Sequence, residues 1–225
     1  MAEDRSLSID VVSDVVCPWC FLGQKRLDKA IAASPGIDIT VRWRPFQLDA
    51  TIPAQGVDRK AYMSAKFRDA NALADAHRRL TSLGAAEGIA FDFEAIAVSP
   101  NTLDAHRLIR WAGAAGGAVQ NDLVRSLFSL YFERGRNIGD PVVLIEAAQA
   151  AGMDAAVVES LLPTDADRES VATEAATASQ MGITGVPCFL LEGKYAVMGA
   201  QDTATLVDAI RQISEAKARG ELQAS

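Results

Sequence analysis

The stretch Leu7-Ser8-Ile9-Asp10-Val11-Val12-Ser13-Asp14-Val15-Val16-Cys17-Pro18-Trp19-Cys20 runs from an alternating segment into a close pair of cysteines. Leu7, Ile9 and Val11 alternate with Ser8 and Asp10, the period of a strand that buries one face. Beyond Cys20 the period changes. Leu27, Ala30 and Ile31 recur at helical spacing among Lys25, Arg26, Asp28 and Lys29, until Pro35-Gly36 stops the run. Cys17 is therefore expected at a helix N-terminus, where unpaired backbone N–H groups and the positive end of the helix dipole favour a thiolate over a thiol.

Working outward, Ile37, Ile39, Val41 and Trp43 alternate with Asp38, Thr40, Arg42 and Arg44 before Pro45 breaks the pattern, which reads as a second strand. Strand, helix and strand make a βαβ unit. Its crossover places the loop after the first strand at the carboxyl edge of the sheet, where α/β proteins hold their sites. From Asp58 to Met181 the chain is rich in alanine and shows helical faces in place of strands. One is Ala105, Leu108, Ile109 and Ala112; another is Val124, Leu127, Phe128 and Tyr131; a third is Leu144, Ala147, Ala148 and Ala151. Asp140-Pro141 supplies a cap and a first-turn proline for the third, and Gly152 ends it. The segment reads as a helical insert of about five or six elements.

Sheet pattern returns at the end. Phe189 to Leu191 and Tyr195 to Met198 flank Glu192-Gly193-Lys194 as an antiparallel hairpin, and a last helix capped by Asp202 buries Leu206, Val207, Ile210 and Ile213. The expected division is residues 1–57 with 182–225 as one domain and 58–181 as the helical insert.

Composition narrows the function. With 22 basic against 29 acidic residues the net charge is −7, which opposes a nucleic-acid partner because phosphate neutralisation needs a basic face. No stretch is apolar enough to span a bilayer. Met1 to Ser8 carries Glu3, Asp4 and Arg5 without an apolar core, so it does not read as a secretory signal. The expected compartment is the cytoplasm. There a chain with three cysteines does not use disulfides as staples, and a Cys-x-x-Cys pair points to catalysis or sensing. Zinc is the other common use of such a pair. A structural zinc site wants four ligands, usually from a second close pair, and only Cys188, His77 and His106 remain.

Gly182-Ile183-Thr184-Gly185-Val186-Pro187 leads into the returning strand, and a proline there cannot donate to the ladder. A βαβ unit with Cys-x-x-Cys at the helix start, followed by proline, a hairpin and a final helix, is the order of the thioredoxin fold. Together with Ser13 to Cys20, Arg44-Pro45-Phe46-Gln47-Leu48, Asn101 to Leu108 and Tyr195 to Gln201, this makes the chain resemble the DsbA-type branch of the thioredoxin superfamily, and within it the FrnE-type dithiol–disulfide oxidoreductases. The resemblance implies an α/β thioredoxin-like fold, with a large all-helical insert between its βαβ and ββα halves. It also implies a cis Pro187 across from the cysteine pair, with the Val186 backbone free to meet substrate. Cys188 departs from the pattern, since relatives often carry an aromatic there.

The implied activity is thiol–disulfide exchange or isomerisation, with Cys17 attacking and Cys20, one turn into the helix, resolving. Pro18, Trp19, Phe46, Val186, His106, Gln201 and Asp202 form the expected substrate-facing set. His106 also reads as a hydrogen-bonded structural histidine, Asp14 and Arg44 as either tuning charges or solvated groups, and His77 as surface. No cofactor is required. A disulfide-containing protein or a small thiol is the expected partner, in a monomer or homodimer. Glutathione is a candidate cosubstrate because Gln201 and Asp202 lie where glutathione-binding relatives hold its γ-glutamyl end. Two other readings stay open: a glutathione-dependent transferase or isomerase of the kappa or chromene-carboxylate type, which uses serine where this chain has Cys17, and a metal or Fe–S carrier through Cys17, Cys20 and Cys188.

Overall fold

In the computed structural model, which describes residues 6–67 and 69–222, strand β1 (Ser6–Ser13) lies at the centre of the sheet. Glu3, Asp4 and Arg5, used above in reading the N-terminus, lie outside the described residues. Leu7, Ile9 and Val11 are each 1% exposed, as the alternation requires, and burial becomes continuous at Val12 and Ser13 where the strand runs into the interior. Helix α1 (Pro18–Ala32) crosses over to strand β2 (Asp38–Pro45), which pairs parallel with β1 from Ser6↔Asp38 to Ser13↔Pro45. Pro18 occupies the first turn of α1, where its missing N–H costs nothing. At the other end the Ser34 hydroxyl donates to the Ala30 carbonyl, and Gly36 takes the positive φ of 85° that turns the chain toward β2.

The segment that follows opens with a two-residue strand, β3 (Val57–Asp58), then α2 (Arg59–Lys66) and α3 (Ala70–Glu87). Strand β4 (Val98–Ser99) returns to pair antiparallel with β3. Then come α4 (Leu103–Ala115), α5 (Gly117–Phe132), α6 (Pro141–Ala150), α7 (Ala155–Leu161) and α8 (Arg168–Gln180). Among the described residues the segment thus has seven helices and a small ribbon, against the five or six helices and no strand expected from periodicity. Two of the seven helices, α2 and α7, have only eight and seven residues, and a two-residue strand has no period to read. The chain closes with β5 (Cys188–Leu191), β6 (Tyr195–Met198) and α9 (Thr203–Ala218), giving a sheet of order β2-β1-β5-β6. Asp202 caps α9 through the Thr205 N–H at 2.8 Å.

One hydrophobic core runs through both expected domains, from Leu7 and Leu27 to Leu108, Leu127, Leu144 and Ile210. Its junction is aromatic. Phe21, directly after Cys20, stacks on Phe128 of α5 with centroids 5.1 Å apart and meets Phe91 edge-on at 5.8 Å. The insert therefore grips the first turn of α1, the turn that carries the cysteines. Edge strand β2 is closed by Gln120 of α5, whose side chain accepts the Trp43 N–H at 3.0 Å and donates to the Ile109 carbonyl at 3.0 Å.

Candidate active site

Cys17 is the N-cap residue of α1, and its N–H donates to the Asp14 carbonyl at 2.9 Å while its own carbonyl accepts from Cys20 and Phe21. No acidic side chain stands in the first turn to offset the positive helix end. Opposite lies the cis Val186-Pro187 peptide that the resemblance implies. The Cys17 thiol points at the Val186 carbonyl, 3.8 Å away. Space for this approach comes from Gly23 on the next turn of α1. A Cβ there would stand 2.8 Å from Pro187 Cγ and 3.2 Å from Phe189 Cζ, so only glycine lets the proline settle against the helix.

The two cysteines differ in surroundings. Cys17 is 4% exposed and lines a cavity of about 360 Å³. It is the more exposed of the pair, Cys20 being 1% exposed, and α2 and α3 form part of the cavity wall over it. Cys20 does not line the cavity, and burial pushes its thiol well above the ordinary range. The hydrogen bond and charge of Cys17 push it further, against smaller opposing contributions from Ser13 and the Asp14 backbone.

Pro18, Trp19 and Val186 also line the cavity, and the Arg79 guanidinium rests 5.7 Å from the Trp19 ring centroid. Phe46 does not line it. It packs with Val12 and Cys188 in a separate small cluster, because the chain enters the interior directly after Pro45. Gln201 and Asp202 are exposed at the start of α9, away from the cavity lining; the Gln201 amide donates to the Met198 carbonyl and Asp202 serves as the cap. Cys188 is fully buried and unpaired, with its thiol raised by burial. Among the described residues no three His, Cys, Asp or Glu side chains are gathered as a metal-binding group, so a carrier built on Cys17, Cys20 and Cys188 has no ligand set.

Asp14 is buried, not solvated. Its carboxylate accepts the Leu48 N–H at 2.8 Å, and its other oxygen lies 3.5 Å from the Val16 nitrogen and 3.4 Å from His106 Nε2. His106, 3% exposed, touches the site only through this carboxylate, and its Nε2 makes no well-aligned hydrogen bond among the described residues. Arg44 turns outward to Asp10 and Glu174, so its charge is spent on the sheet surface. His77 is the reverse case. Read as surface, it instead lines the cavity and stacks on Phe93 at 4.1 Å, and burial, with the nearby Arg59 charge, lowers its pKa. Arg59 and Tyr62, which the sequence does not single out, and Tyr131, read there only as part of a helical face, belong to the polar part of the wall together with Asp49 and Lys66.

A family model for the DSBA-like thioredoxin domain matches residues 8–211. The chain belongs to this family. A probable DsbA oxidoreductase of Streptomyces coelicolor shares 30% identity with this chain at a TM-score of 0.82, over 97% of this chain and 92% of that one. An uncharacterized protein of Bacillus subtilis, YwbO, is 28% identical over 87% of this chain and 91% of its own length. A 2-hydroxychromene-2-carboxylate isomerase superposes with a TM-score of 0.68 at 19% identity, covering 96% of this chain and all of that one. That likeness shows a shared fold alone, so the fold does not by itself decide the reaction. Among the described residues no helix is long and apolar enough to cross a membrane.

Proposed function

We propose that this DsbA-type protein, of the FrnE-like branch, catalyses thiol–disulfide exchange through Cys17 and Cys20. The carrying observation is the asymmetry of the pair: Cys17 lines the cavity beside Val186, whereas Cys20 lies behind it with a thiol that burial holds protonated. The Cys17 thiolate attacks one sulfur of a substrate disulfide, and the displaced sulfur leaves as a thiolate. Cys20 then passes its proton to the thiolate displaced in the first attack, attacks the Cys17 sulfur and releases the second substrate thiolate, leaving an internal disulfide. Its raised pKa delays that attack until the mixed disulfide has replaced the neighbouring Cys17 thiolate, one of the groups that raises it. Glutathione, working in the cytoplasm, fits as the thiol that returns the pair to its reduced form. Pro18, Trp19, Val186 and Pro187 shape the attack site.

Conjugating chemistry of the kappa type fits poorly, because an activated Cys17 beside a resolving thiol oxidises to a disulfide and loses the group a transferase needs. The test compares variants. Cys20→Ser is expected to accumulate mixed disulfides at Cys17 and lose turnover, and Cys17→Ser to lose both adduct and turnover. Conjugation of an electrophilic aromatic by wild type and Cys20→Ser alike, without disulfide turnover, would refute the reading.

A further inference from the structure

The cavity of about 360 Å³ lies within the roughly 300–1,000 Å³ of sites that enclose small molecules. Its walls are mainly apolar, with Met63, Phe67 and Leu73 beside Val16, Trp19 and Val186. Arg59, the first residue of α2, interrupts them. Arg59 is half-buried; its guanidinium donates to the Tyr131 hydroxyl at 3.1 Å, sits 5.7 Å from that ring, and forms no ion pair among the described residues. Arg44, Arg107, Arg110 and Arg125, by contrast, each meet a carboxylate.

Other groups on the wall do not neutralise Arg59. Asp14 is held by the Leu48 N–H and faces His106, and Asp49 accepts from Thr51 and from the Tyr62 hydroxyl, which also takes a hydrogen bond from Lys66. Burial raises the Tyr131 phenol to about 12, so it stays neutral beside the guanidinium. A guanidinium on a cavity wall with one hydrogen bond to protein among the described residues keeps donors that match a carboxylate. The nucleophile, 4% exposed, lines the same cavity.

We propose that the cavity selects a low-molecular-weight disulfide with an apolar body and a carboxylate, seated with the carboxylate on Arg59 and one sulfur against Cys17. This rests on the exchange chemistry proposed above. The Cys17 sulfur bonds to the nearer substrate sulfur as the S–S bond breaks, and its electron pair leaves on the distal sulfur. Cys20 displaces the second thiolate. Two electrons pass from the dithiol to the substrate, and two equivalents of a low-molecular-weight thiol restore the pair.

The test uses reduced full-length Cys20→Ser protein and follows the mixed disulfide at Cys17 by mass. Substrates are 4,4′-dithiobis(benzoic acid), its bis-amide, hydroxyethyl disulfide and insulin, each rate divided by that with 2-mercaptoethanol to remove intrinsic reactivity. The acid is expected to exceed the amide by about tenfold, as one well-placed ion pair allows, and both aryl disulfides to exceed insulin. Arg59→Gln should bring the acid down to the rate of the amide, and Arg59→Lys should keep part of the preference. Equal rates for acid and amide, a faster reaction with insulin, or an Arg59→Gln variant that slows acid and amide alike overturns the proposal while leaving exchange intact. Failure of every disulfide to form an adduct at Cys17 overturns the exchange reading, and the proposal with it.

Discussion

His106 and Arg107 are neighbours on α4 and both are buried, yet they meet opposite fates. Arg107, fully buried, donates through Nε to the Ala166 carbonyl, through Nη1 to Asp104 and the Leu162 carbonyl, and through Nη2 to the carbonyls of Leu161 and Thr164. Four of these five bonds go to carbonyls where α7 turns into α8, and the fifth to Asp104 on α4 itself. His106 faces the Asp14 carboxylate at 3.4 Å with an unaligned Nε2, and the Asp14 carbonyl takes the N–H of Cys17. A buried charge with all its donors filled is a clamp. A buried polar pair left partly filled beside a cavity sits where chemistry is done, since incomplete satisfaction is costly and persists where something else requires it.

Removing the clamp is the largest test. Arg107→Met leaves four carbonyls and Asp104 without their donor, and breaking a buried charge pair of this kind costs roughly 3–5 kcal/mol. Urea unfolding should show that loss, while Cys17 adduct formation per folded molecule stays near wild type because none of the hydrogen-bond partners of Arg107 described above lines the cavity. A loss below about 1 kcal/mol would mean that the turn finds other donors and that the distinction between the two neighbours is false.

Gly23→Ala probes the place where packing and chemistry share a contact. The added methyl meets the Pro187 ring at 2.8 Å, and a ring cannot swing aside as a long side chain does. Overpacking of this kind costs about 1–3 kcal/mol. Exchange should fall more than stability suggests, because the proline can yield only by moving away from Cys17. Unchanged adduct formation in a fully folded variant would show that the contact between α1 and Pro187 does not set the reacting geometry.

How far the sequence carried this picture follows the range of the interactions. β1, α1, β2, the hairpin and α9 were legible because alternation, a stop at Pro35-Gly36 and a cap at Asp202 are local signals. The cysteine pair was legible for the same reason. The cavity was not: Arg59 and Tyr62 of α2 reach it only because α2 and α3 fold back across the first turn of α1, and nothing near Arg59 marks it as different from a surface arginine. His77 looked solvated among Asp75, Arg78 and Arg79, yet Phe93, sixteen positions along, covers its ring. Phe46 belongs to a matching segment and reads as substrate-facing, whereas its partners are Val12 and Cys188. Arg107 lay inside another matching segment, and only the distant 161–166 turn reveals its work.

The smallest expected effect separates the two regions by their protons. In the reduced protein the Cys20 thiol holds its proton more tightly folded than unfolded, because burial, then Cys17, raises its pKa above the ordinary value near 9.0. Above that value the native state binds more protons than the unfolded chain, so stability falls as pH rises and is level below it. One such thiol contributes a slope of at most about 1.4 kcal/mol per pH unit. Cys188, raised by burial, adds to the decline, and Tyr131, shifted from 10.0 to about 12, joins at still higher pH. Cys20→Ser should therefore flatten the curve of urea midpoint against pH just above pH 9, while Arg107→Met should lower that curve without changing its slope, since its guanidinium does not titrate there. An unchanged slope in Cys20→Ser would mean that the Cys20 thiol ionises as readily folded as unfolded. The assignment of Cys20 as the protonated, waiting member of the pair would then lose its physical basis.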